Sequence, residues 1–357
     1  MLKSIFTLDY EIHGNGEGCS HELMVEPVGR LLRLLEEYGA PLTIMADVAE
    51  ILKFKEYAEQ LGHDHYHYPR VVAQLQDAAR RGHDVQLHLH SSYFNARHDG
   101  KRWVQDLTEY NLAGLSLERL NEMIGRGKAY LESILKSVNP NYRCLAFRAA
   151  NWSVSPAKNV VKALLQNGIK IDTSVFKYGR RQGLVNFDYT DAYSNLIPWR
   201  VNEENLCGRD DRGRLWEFPI YAENRWLGAF LTPSRVYRAI QSRWHRIAET
   251  GDGDPVQRVS DTTKGGSRLA RWLRLVQRHA WKADFNQCTG RQLMGALRRA
   301  ERQCAGAAGD IPFVLIGHSK LFTRWNERSL RPFLNFVAQN RSRFGYATFS
   351  GFAPEQE

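Results

Sequence analysis

The stretch "SIFTLD", residues 4–9, followed by "YE" at residues 10–11, predicts the first strand of a buried sheet. Asp9 and Glu11 come at the end of this apolar run and are two residues apart. Because alternate side chains of a strand point to the same face, the two carboxylates are expected to share a face, roughly 7 Å apart along the strand. Both could then reach into one pocket, although acids at strand ends are more often solvated.

Apolar runs of the same kind recur along the chain and alternate with helical patterns. Leucines at helical spacing predict helices over residues 26–38 and 117–135. Such alternation is typical of a parallel sheet, and about eight strands favour an α/β barrel. The predicted strands are 4–9, 41–46, 84–90, 143–149, 168–175, 214–220, 312–318 and 345–350.

The region 234–304 interrupts this alternation. It is rich in Arg and Trp and predicts helices near 234–249, 267–283 and 289–303. We interpret it as a helical insertion in a single barrel that spans residues 1–357. The arginines of its middle helix lie largely off the apolar stripe, so this cationic face is expected to be solvated. The alternative is a surface for anionic lipid or diphosphate groups.

The segment "GHDVQLHLHSS", residues 82–92, places His88 and His90 at the end of a predicted strand, again two residues apart. Two imidazoles on one face can ligate one metal ion. With Glu11 they form a set of two histidines and one carboxylate that leaves positions open for water and substrate. A competing group of histidines within residues 63–67 has tyrosines and a proline as neighbours, which predicts a solvated loop.

Two further predicted strand ends carry polar side chains. The segment "AFRAANWS", residues 146–153, provides Arg148, whose guanidinium can hold a carboxylate by two hydrogen bonds. The segment "FVLIGHSK", residues 313–320, provides His318. An ion pair or a loop histidine would explain either residue alone, but the active sites of barrels are built from the C-terminal ends of several strands.

The order of these segments resembles the polysaccharide deacetylase superfamily of carbohydrate esterases, also called the NodB-homology or carbohydrate esterase family 4-like superfamily. The similarity extends from residue 4 to about residue 350, outside the insertion. It rests on "TLDYE", "GHDVQLHLH", "FRAANWS", "IDTSVF" and "LIGHSK", which stand in the order of the family's five motifs. This resemblance implies a distorted (β/α) barrel of seven or eight strands that hydrolyses N-acetyl groups with a divalent metal.

The resemblance also implies catalytic roles. Asp9 matches the family's general base, and Arg148 matches the arginine that orients this base. His318 matches the histidine that protonates the leaving amine. Asp172 resembles the acid of the fourth motif, which supports that histidine.

A metal site and a substrate contact are implied in the same way. Glu11, His88 and His90 would hold the metal, with zinc preferred over cobalt, nickel or iron. Many family members have three residues between the two histidines, so His90 is assigned here from the strand geometry. Asn151 and Trp152 would contact the substrate.

Composition suggests the partners and the compartment. The formal net charge of +10 and the pI near 9.4 favour an acidic partner. Five scattered cysteines without a C-x-x-C pair favour a reducing cytoplasm, and neither a secretory signal nor a membrane span is expected. Taken together with the activity that the resemblance implies, these features lead us to expect a cytoplasmic enzyme that acts on a nucleotide- or lipid-linked amino sugar during synthesis of a surface polysaccharide such as lipopolysaccharide. Peripheral contact with an anionic membrane surface is compatible with the charge.

Two alternatives stay open. The same ligand set describes non-haem iron oxygenases, although this leaves Asp9, Arg148 and His318 without a joint role. A catalytically degenerate barrel could instead bind carbohydrate or nucleic acid through the basic insertion. No helix-turn-helix, zinc-finger or RNA-binding motif is present in the sequence, so specific nucleic-acid binding is not expected.

Overall fold

The computed structural model describes residues 1–12, 16–232, 236, 277–307 and 309–352. Sixteen strands occur in these residues. They are β1 (Leu2–Tyr10), β2 (Leu42–Asp47), β3 (Asp84–Leu89), β4 (Arg97–His98), β5 (Trp103–Val104), β6 (Ala146–Ala149), β7 (Ile171–Asp172), β8 (Arg180–Arg181), β9 (Phe187–Asp188), β10 (Trp199–Asn202), β11 (Asn205–Arg209), β12 (Trp216–Glu217), β13 (Ala222–Trp226), β14 (Arg278–Lys282), β15 (Ile311–His318) and β16 (Phe344–Tyr346).

Seven α-helices longer than two turns lie in the same residues. They are α1 (Glu26–Glu36), α2 (Val48–Leu61), α3 (Tyr68–Arg80), α4 (Leu117–Leu135), α5 (Ala157–Gln166), α6 (Gly290–Gln303) and α7 (Arg324–Gln339). The two helices that leucine spacing predicts are α1 and α4. The Ser116 hydroxyl accepts a hydrogen bond from the backbone of Arg119 and caps α4 at its predicted start.

The main sheet has the strand order β11-β10-β12-β7-β6-β3-β2-β1-β15, and β16 pairs with the first residues of β1. In this sheet β12, β7, β6, β3, β2, β1, β15 and β16 all run parallel to one another. The two strands at the other edge, β10 and β11, pair antiparallel with their neighbours. A parallel bridge between Ile220, which follows β12, and Val314 of β15 joins the two sides of the parallel sheet. The sheet therefore curls into a distorted barrel, and the predicted α/β fold is confirmed. Each of the eight predicted strands overlaps a strand of the sheet, although β7, β12 and β16 are much shorter than predicted.

The strand β1 shows why these residues form a parallel barrel. Every residue of β1 except Lys3 is buried, and Ile5, Phe6 and Leu8 belong to the hydrophobic core. A strand that is covered on both faces gains from apolar side chains on both faces, which produces a continuous apolar run. Helices pack outside the barrel, and α1 buries one leucine-rich face.

The prediction for the region 234–304 is partly wrong. The helix expected over 267–283 is contradicted at Arg278–Lys282, because these residues form β14 and pair antiparallel with β13. The helix expected near 289–303 is confirmed as α6. The helix expected near 234–249 lies outside the described residues except at residue 236, so the extent of an insertion stays a prediction.

Three further features bear on the sequence analysis. All five cysteines are free thiols. None of the helices in the described ranges has the length and apolar character that crossing a membrane requires. Residues 63–67 form the connection between α2 and α3, and His63 and His65 are exposed there, as predicted for a solvated loop.

Candidate active site

Polar side chains meet at the C-terminal ends of neighbouring parallel strands. Asp9 lies in β1, in register with His318 of β15, and His88 of β3 lies in register with Arg148 of β6. Glu11 follows directly after β1. These side chains are buried, although His318 keeps a partial exposure. The structure therefore brings together five residues that the sequence places up to about 300 positions apart.

The first group in this site is the buried ion pair of Asp9 and Arg148. The guanidinium donates from Nη1 to Asp9 Oδ1 at 2.7 Å, from Nη2 to Thr7 Oγ1 at 2.9 Å and from Nε to the Thr173 carbonyl oxygen at 3.1 Å. Burial raises the pKa of Asp9, but the Arg148 guanidinium and the neighbouring histidines outweigh it and lower the pKa below its ordinary value. Asp9 is therefore held as a carboxylate with a fixed orientation.

His318 lies on the other side of Asp9. Its Nε2 atom is 3.6 Å from Asp9 Oδ2, and its backbone N–H donates to Asn286 Oδ1 at 2.6 Å. Within the part of the chain that is described, its buried Nδ1 atom has no hydrogen-bond partner. Burial lowers the pKa of His318, and the Asp9 carboxylate offsets this only in part. One oxygen of Asp9 thus faces Arg148 and the other faces His318.

The second group consists of Glu11, His88 and His90. Glu11 Oε2 is 3.4 Å from His88 Nε2 and 3.3 Å from His90 Nδ1, and ligand atoms of the three residues lie within 4.8 Å of one another. Metal–ligand bonds of about 2.1 Å in a tetrahedral site place neighbouring ligand atoms roughly 3.4 Å apart. His88 Nδ1 contacts the Arg148 carbonyl oxygen at 2.8 Å, so the lone pair of His88 is on Nε2, which faces Glu11. The donor types and spacings fit a divalent metal.

Lys320 is a part of this site that the sequence analysis missed. Its ammonium lies 2.9 Å from Glu11 Oε1 and donates to the Ile12 carbonyl oxygen at 2.9 Å. Burial raises the pKa of Glu11, but Lys320 and the two histidines lower it well below the ordinary range. The signal was present in "GHSK", because Lys320 follows His318 by two positions at the end of β15.

Asp47 and Glu50 were also missed. Asp47 Oδ2 lies 2.5 Å from His90 Nδ1, and ligand atoms of Asp47, Glu50 and His90 form a second group within 4.8 Å. Glu50 Oε2 accepts a hydrogen bond from the backbone of Ile12, at 2.8 Å. Burial and the carboxylates of Asp47 and Glu11 raise the pKa of Glu50 well above its ordinary value. Three buried carboxyl groups therefore surround His90.

The structure does not place Asp172 where its expected role requires it. Asp172 accepts hydrogen bonds from the hydroxyl and the backbone of Ser174, and in the sheet it pairs in register with Glu217. Besides Asp9 and Glu11, Asp284 is an acid whose charge acts on His318. The expectation that Asp172 supports His318 needs correction, because the buried Nδ1 atom of His318 has no hydrogen-bond partner among the described residues, whereas Asp172 is bonded to Ser174.

Asn151 and Trp152 lie in the short turn Ala150–Trp152 after β6 and have left-handed backbone angles, with φ of 56° and 55°. Asn151 Oδ1 accepts hydrogen bonds from Arg181 Nη1 at 2.9 Å and from the Tyr110 hydroxyl at 3.1 Å. The ammonium of Lys282 lies 3.5 Å from the centre of the Trp152 ring. Both residues lie three or four positions beyond Arg148, and their contact with a substrate stays a prediction.

Comparisons with known proteins address the fold. No protein-family profile matches the sequence, and no curated protein matches it. A crystal structure from Mycobacterium smegmatis, described as a polysaccharide deacetylase, has 15% identity and a TM-score of 0.50, with 99% of this chain and 88% of that chain covered. The 4-alpha-glucanotransferase of Thermococcus litoralis has 12% identity and a TM-score of 0.51, with 99% and 40% covered. A GH57-type branching enzyme of Pyrococcus horikoshii has 13% identity and a TM-score of 0.50, with 99% and 70% covered. At these identities the similarity is one of fold.

Proposed function

We propose that this chain, which has the fold of the NodB-like polysaccharide deacetylases, is a metal-dependent hydrolase that removes an N-acetyl or N-formyl group from an amino sugar. One observation supports this most strongly. A carboxylate oriented by Arg148, an imidazole facing it from His318, and a three-residue donor set lie together at one end of the barrel. Amide hydrolysis needs a base, an acid and stabilisation of negative charge, and this arrangement offers all three.

The side chains have separate tasks in the proposed reaction. Asp9 accepts a proton from the attacking water through Oδ2, since Oδ1 is bonded to Arg148. His318 donates a proton from Nε2 to the sugar nitrogen as the carbon–nitrogen bond breaks, so that carboxylate and amine leave. A bound divalent metal, held by Glu11, His88 and His90, would polarise the acyl oxygen and lower the pKa of the attacking water.

The substrate class is the less constrained part of the proposal. The net charge of +10 supports a substrate that carries phosphate, such as a nucleotide- or lipid-linked sugar. The free thiols support the cytoplasm as the compartment. The proposed metal is zinc, because two imidazoles and one carboxylate are ligands that suit it.

A second candidate function is supported by Lys320. Its ammonium already neutralises one oxygen of Glu11, as it would in a barrel that binds a carbohydrate without metal. A third candidate, a non-haem iron oxygenase, would use the same ligand set but would leave the pair of Asp9 and His318 without a role.

The test is release of acetate or formate under nitrogen from N-acetyl and N-formyl amino sugars, supplied free, nucleotide-linked and lipid-linked, with added zinc. Proton NMR detects the released acid. We expect at least one substrate to be cleaved, and we expect Asp9→Asn to slow cleavage by about 10²–10⁴-fold. Asp84→Asn is a matched control, because Asp84 is a buried acid at the opposite end of β3. No release from any substrate, or equal release by the Asp9 variant, would contradict the proposal.

A further inference from the structure

Three successive residues at the end of β15 each contact an acid at the end of β1. His318 Nε2 faces Asp9 Oδ2 at 3.6 Å. The Ser319 hydroxyl donates to the Glu11 carbonyl oxygen at 3.0 Å and accepts from the Glu11 N–H at 3.3 Å. Lys320 Nζ lies 2.9 Å from Glu11 Oε1. Ser319 therefore holds the backbone of Glu11, and Lys320 holds its side chain.

The two oxygens of the Glu11 carboxylate have different neighbours. Oε1 contacts the Lys320 ammonium, whereas Oε2 lies 3.4 Å from His88 Nε2 and 3.3 Å from His90 Nδ1. The ammonium is fixed in turn, because it also donates to the Ile12 carbonyl oxygen at 2.9 Å and its side chain is only 14% exposed. Hydrogen bonds between charged groups are stronger than neutral ones, so a rotation of the carboxylate that broke this contact would be unfavourable.

Charge neutralisation alone does not explain this arrangement. Lys320 does supply a counter-ion for the buried Glu11, but a counter-ion could serve that purpose at either oxygen. Here the ammonium is at Oε1 and leaves Oε2, the oxygen that lies beside the two imidazoles. Carboxylates bind metal ions through one oxygen or through both. Hydrogen bonds to a ligand residue orient it toward the metal, and a bond to one oxygen leaves the other as the donor.

We propose that Lys320 is a positioning residue that restricts Glu11 to coordination through one oxygen, so that Oε2 alone is offered to a metal. This inference rests on the proposed metal-dependent function and adds to it a residue that acts through Glu11. Lys320 does not itself contact the metal. The restriction matters for hydrolysis, because a chelating carboxylate would take up a position that a catalytic metal keeps open for water or substrate.

The experiment uses cobalt(II) as a spectroscopic probe in the wild type, Lys320→Met and Lys53→Met. Four-coordinate cobalt absorbs visible light more strongly than five-coordinate cobalt. In Lys320→Met the Oε1 atom is released and can bind as well, so we expect the absorption per bound cobalt to weaken. Lys53→Met is the matched control, because Lys53 is a buried lysine that pairs with Glu56 at 2.8 Å, outside the donor set. We expect its cobalt spectrum to match that of the wild type.

A second measurement needs no variant, so it decides the question even if Lys320→Met does not fold. X-ray absorption at the zinc edge of the zinc-loaded wild type reports how far the carboxylate carbon lies from the metal, and this distance is shorter for a chelating carboxylate. We expect the longer distance of a carboxylate that binds through one oxygen.

Several results would overturn the inference while leaving the proposed metal site intact. They are a chelating carboxylate in the wild type, identical cobalt spectra in the wild type and Lys320→Met, or the same spectral change in Lys53→Met. A folded Lys320→Met that binds no cobalt would also overturn it, because Lys320 would then be needed for binding itself. A wild type that binds neither cobalt nor zinc would overturn the inference together with the proposed metal dependence.

Discussion

The ion pair between Arg148 and Asp9 allows a quantitative prediction about the stability of the site. We consider Arg148→Met, Asp9→Asn and the double variant. The two charged groups are in contact at 2.7 Å and are almost fully shielded from solvent. At an effective dielectric constant of about 20, unit charges about 4 Å apart attract by about 4 kcal/mol. Removing either partner leaves the other charge buried without its counter-ion, which typically costs about 3–5 kcal/mol.

The double variant should cost less than the sum of the single variants, because it leaves neither charge behind. We expect a coupling energy of about 2–3 kcal/mol in the double-mutant cycle. Hydrogen bonds from Arg148 to Thr7 and Thr173 would still be lost in both variants that lack the arginine, so the double variant is not expected to match the wild type. The assay is urea unfolding followed by tryptophan fluorescence at pH 7. Additive costs of the two single variants would refute the account of Asp9 as a carboxylate held by Arg148.

Three further predictions concern pH and packing. Burial lowers the pKa of His318 below 6.5. Because a general acid loses its proton as pH rises through its pKa, we expect kcat/KM to decline already below pH 6.5. A plateau in kcat/KM that extends beyond pH 7.5 would contradict this role of His318. Burial, with Asp172 adjacent, raises the pKa of Glu217 well above 4.5, so the folded state holds a proton that the unfolded chain releases. Through Glu217 the free energy of unfolding should therefore fall as pH rises above about 4.5, by up to about 1.4 kcal/mol per pH unit. In denaturant titrations Glu217→Gln should remove this contribution and leave that of Glu50, whose pKa is also raised. In Gly317→Ala the new Cβ would lie 2.2 Å from the Phe285 ring, so we expect a loss of about 1–3 kcal/mol in the same titrations, and an unchanged midpoint would contradict the packing.

The barrel strands were predictable because of how they are buried. Parallel strands covered on both faces require apolar residues at nearly every position, and such runs stand out from the amphipathic helices between them. The strand β10 was missed, because its side chains are not all buried and its residues therefore do not form a continuous apolar run. The strand β14 was mistaken for the end of a helix, because pairing with β13 over five residues decided its conformation. Tertiary contacts of this kind override local spacing.

The site was predictable only where a residue stands at the end of a recognisable strand. Asp9, His88 and His318 fulfil this condition. Asp47 has the sequence signature of a helix cap, and its second contact depends on a residue 43 positions away. In the sequence Lys320 resembles any lysine in a surface loop. Its hydrogen-bond partner, the Ile12 carbonyl oxygen, is 308 positions away.

The misplacement of Asp172 has a similar cause. The motif order locates Asp172 along the chain, but the order of strands in the sheet decides which side chains it meets. In the structure β7 lies between β6 and β12, so Asp172 pairs in register with Phe147 and Glu217. The order of motifs along the chain does not specify which strands pair or in which register, so the neighbours of Asp172 could not be predicted from it.

The central claim is that Glu11, His88 and His90 form a metal site, and the most direct measurement is the metal content of the purified protein. Wild type, His88→Ala and His83→Gln are incubated with zinc, desalted and analysed by mass spectrometry after acid digestion. His83 is a matched control, because it is a buried histidine that instead accepts from the Leu42 N–H at 3.0 Å. We predict one equivalent of zinc in the wild type and in the His83 variant, and a loss of zinc in His88→Ala. A wild type without zinc, or a His88 variant that retains it, would contradict the metal centre.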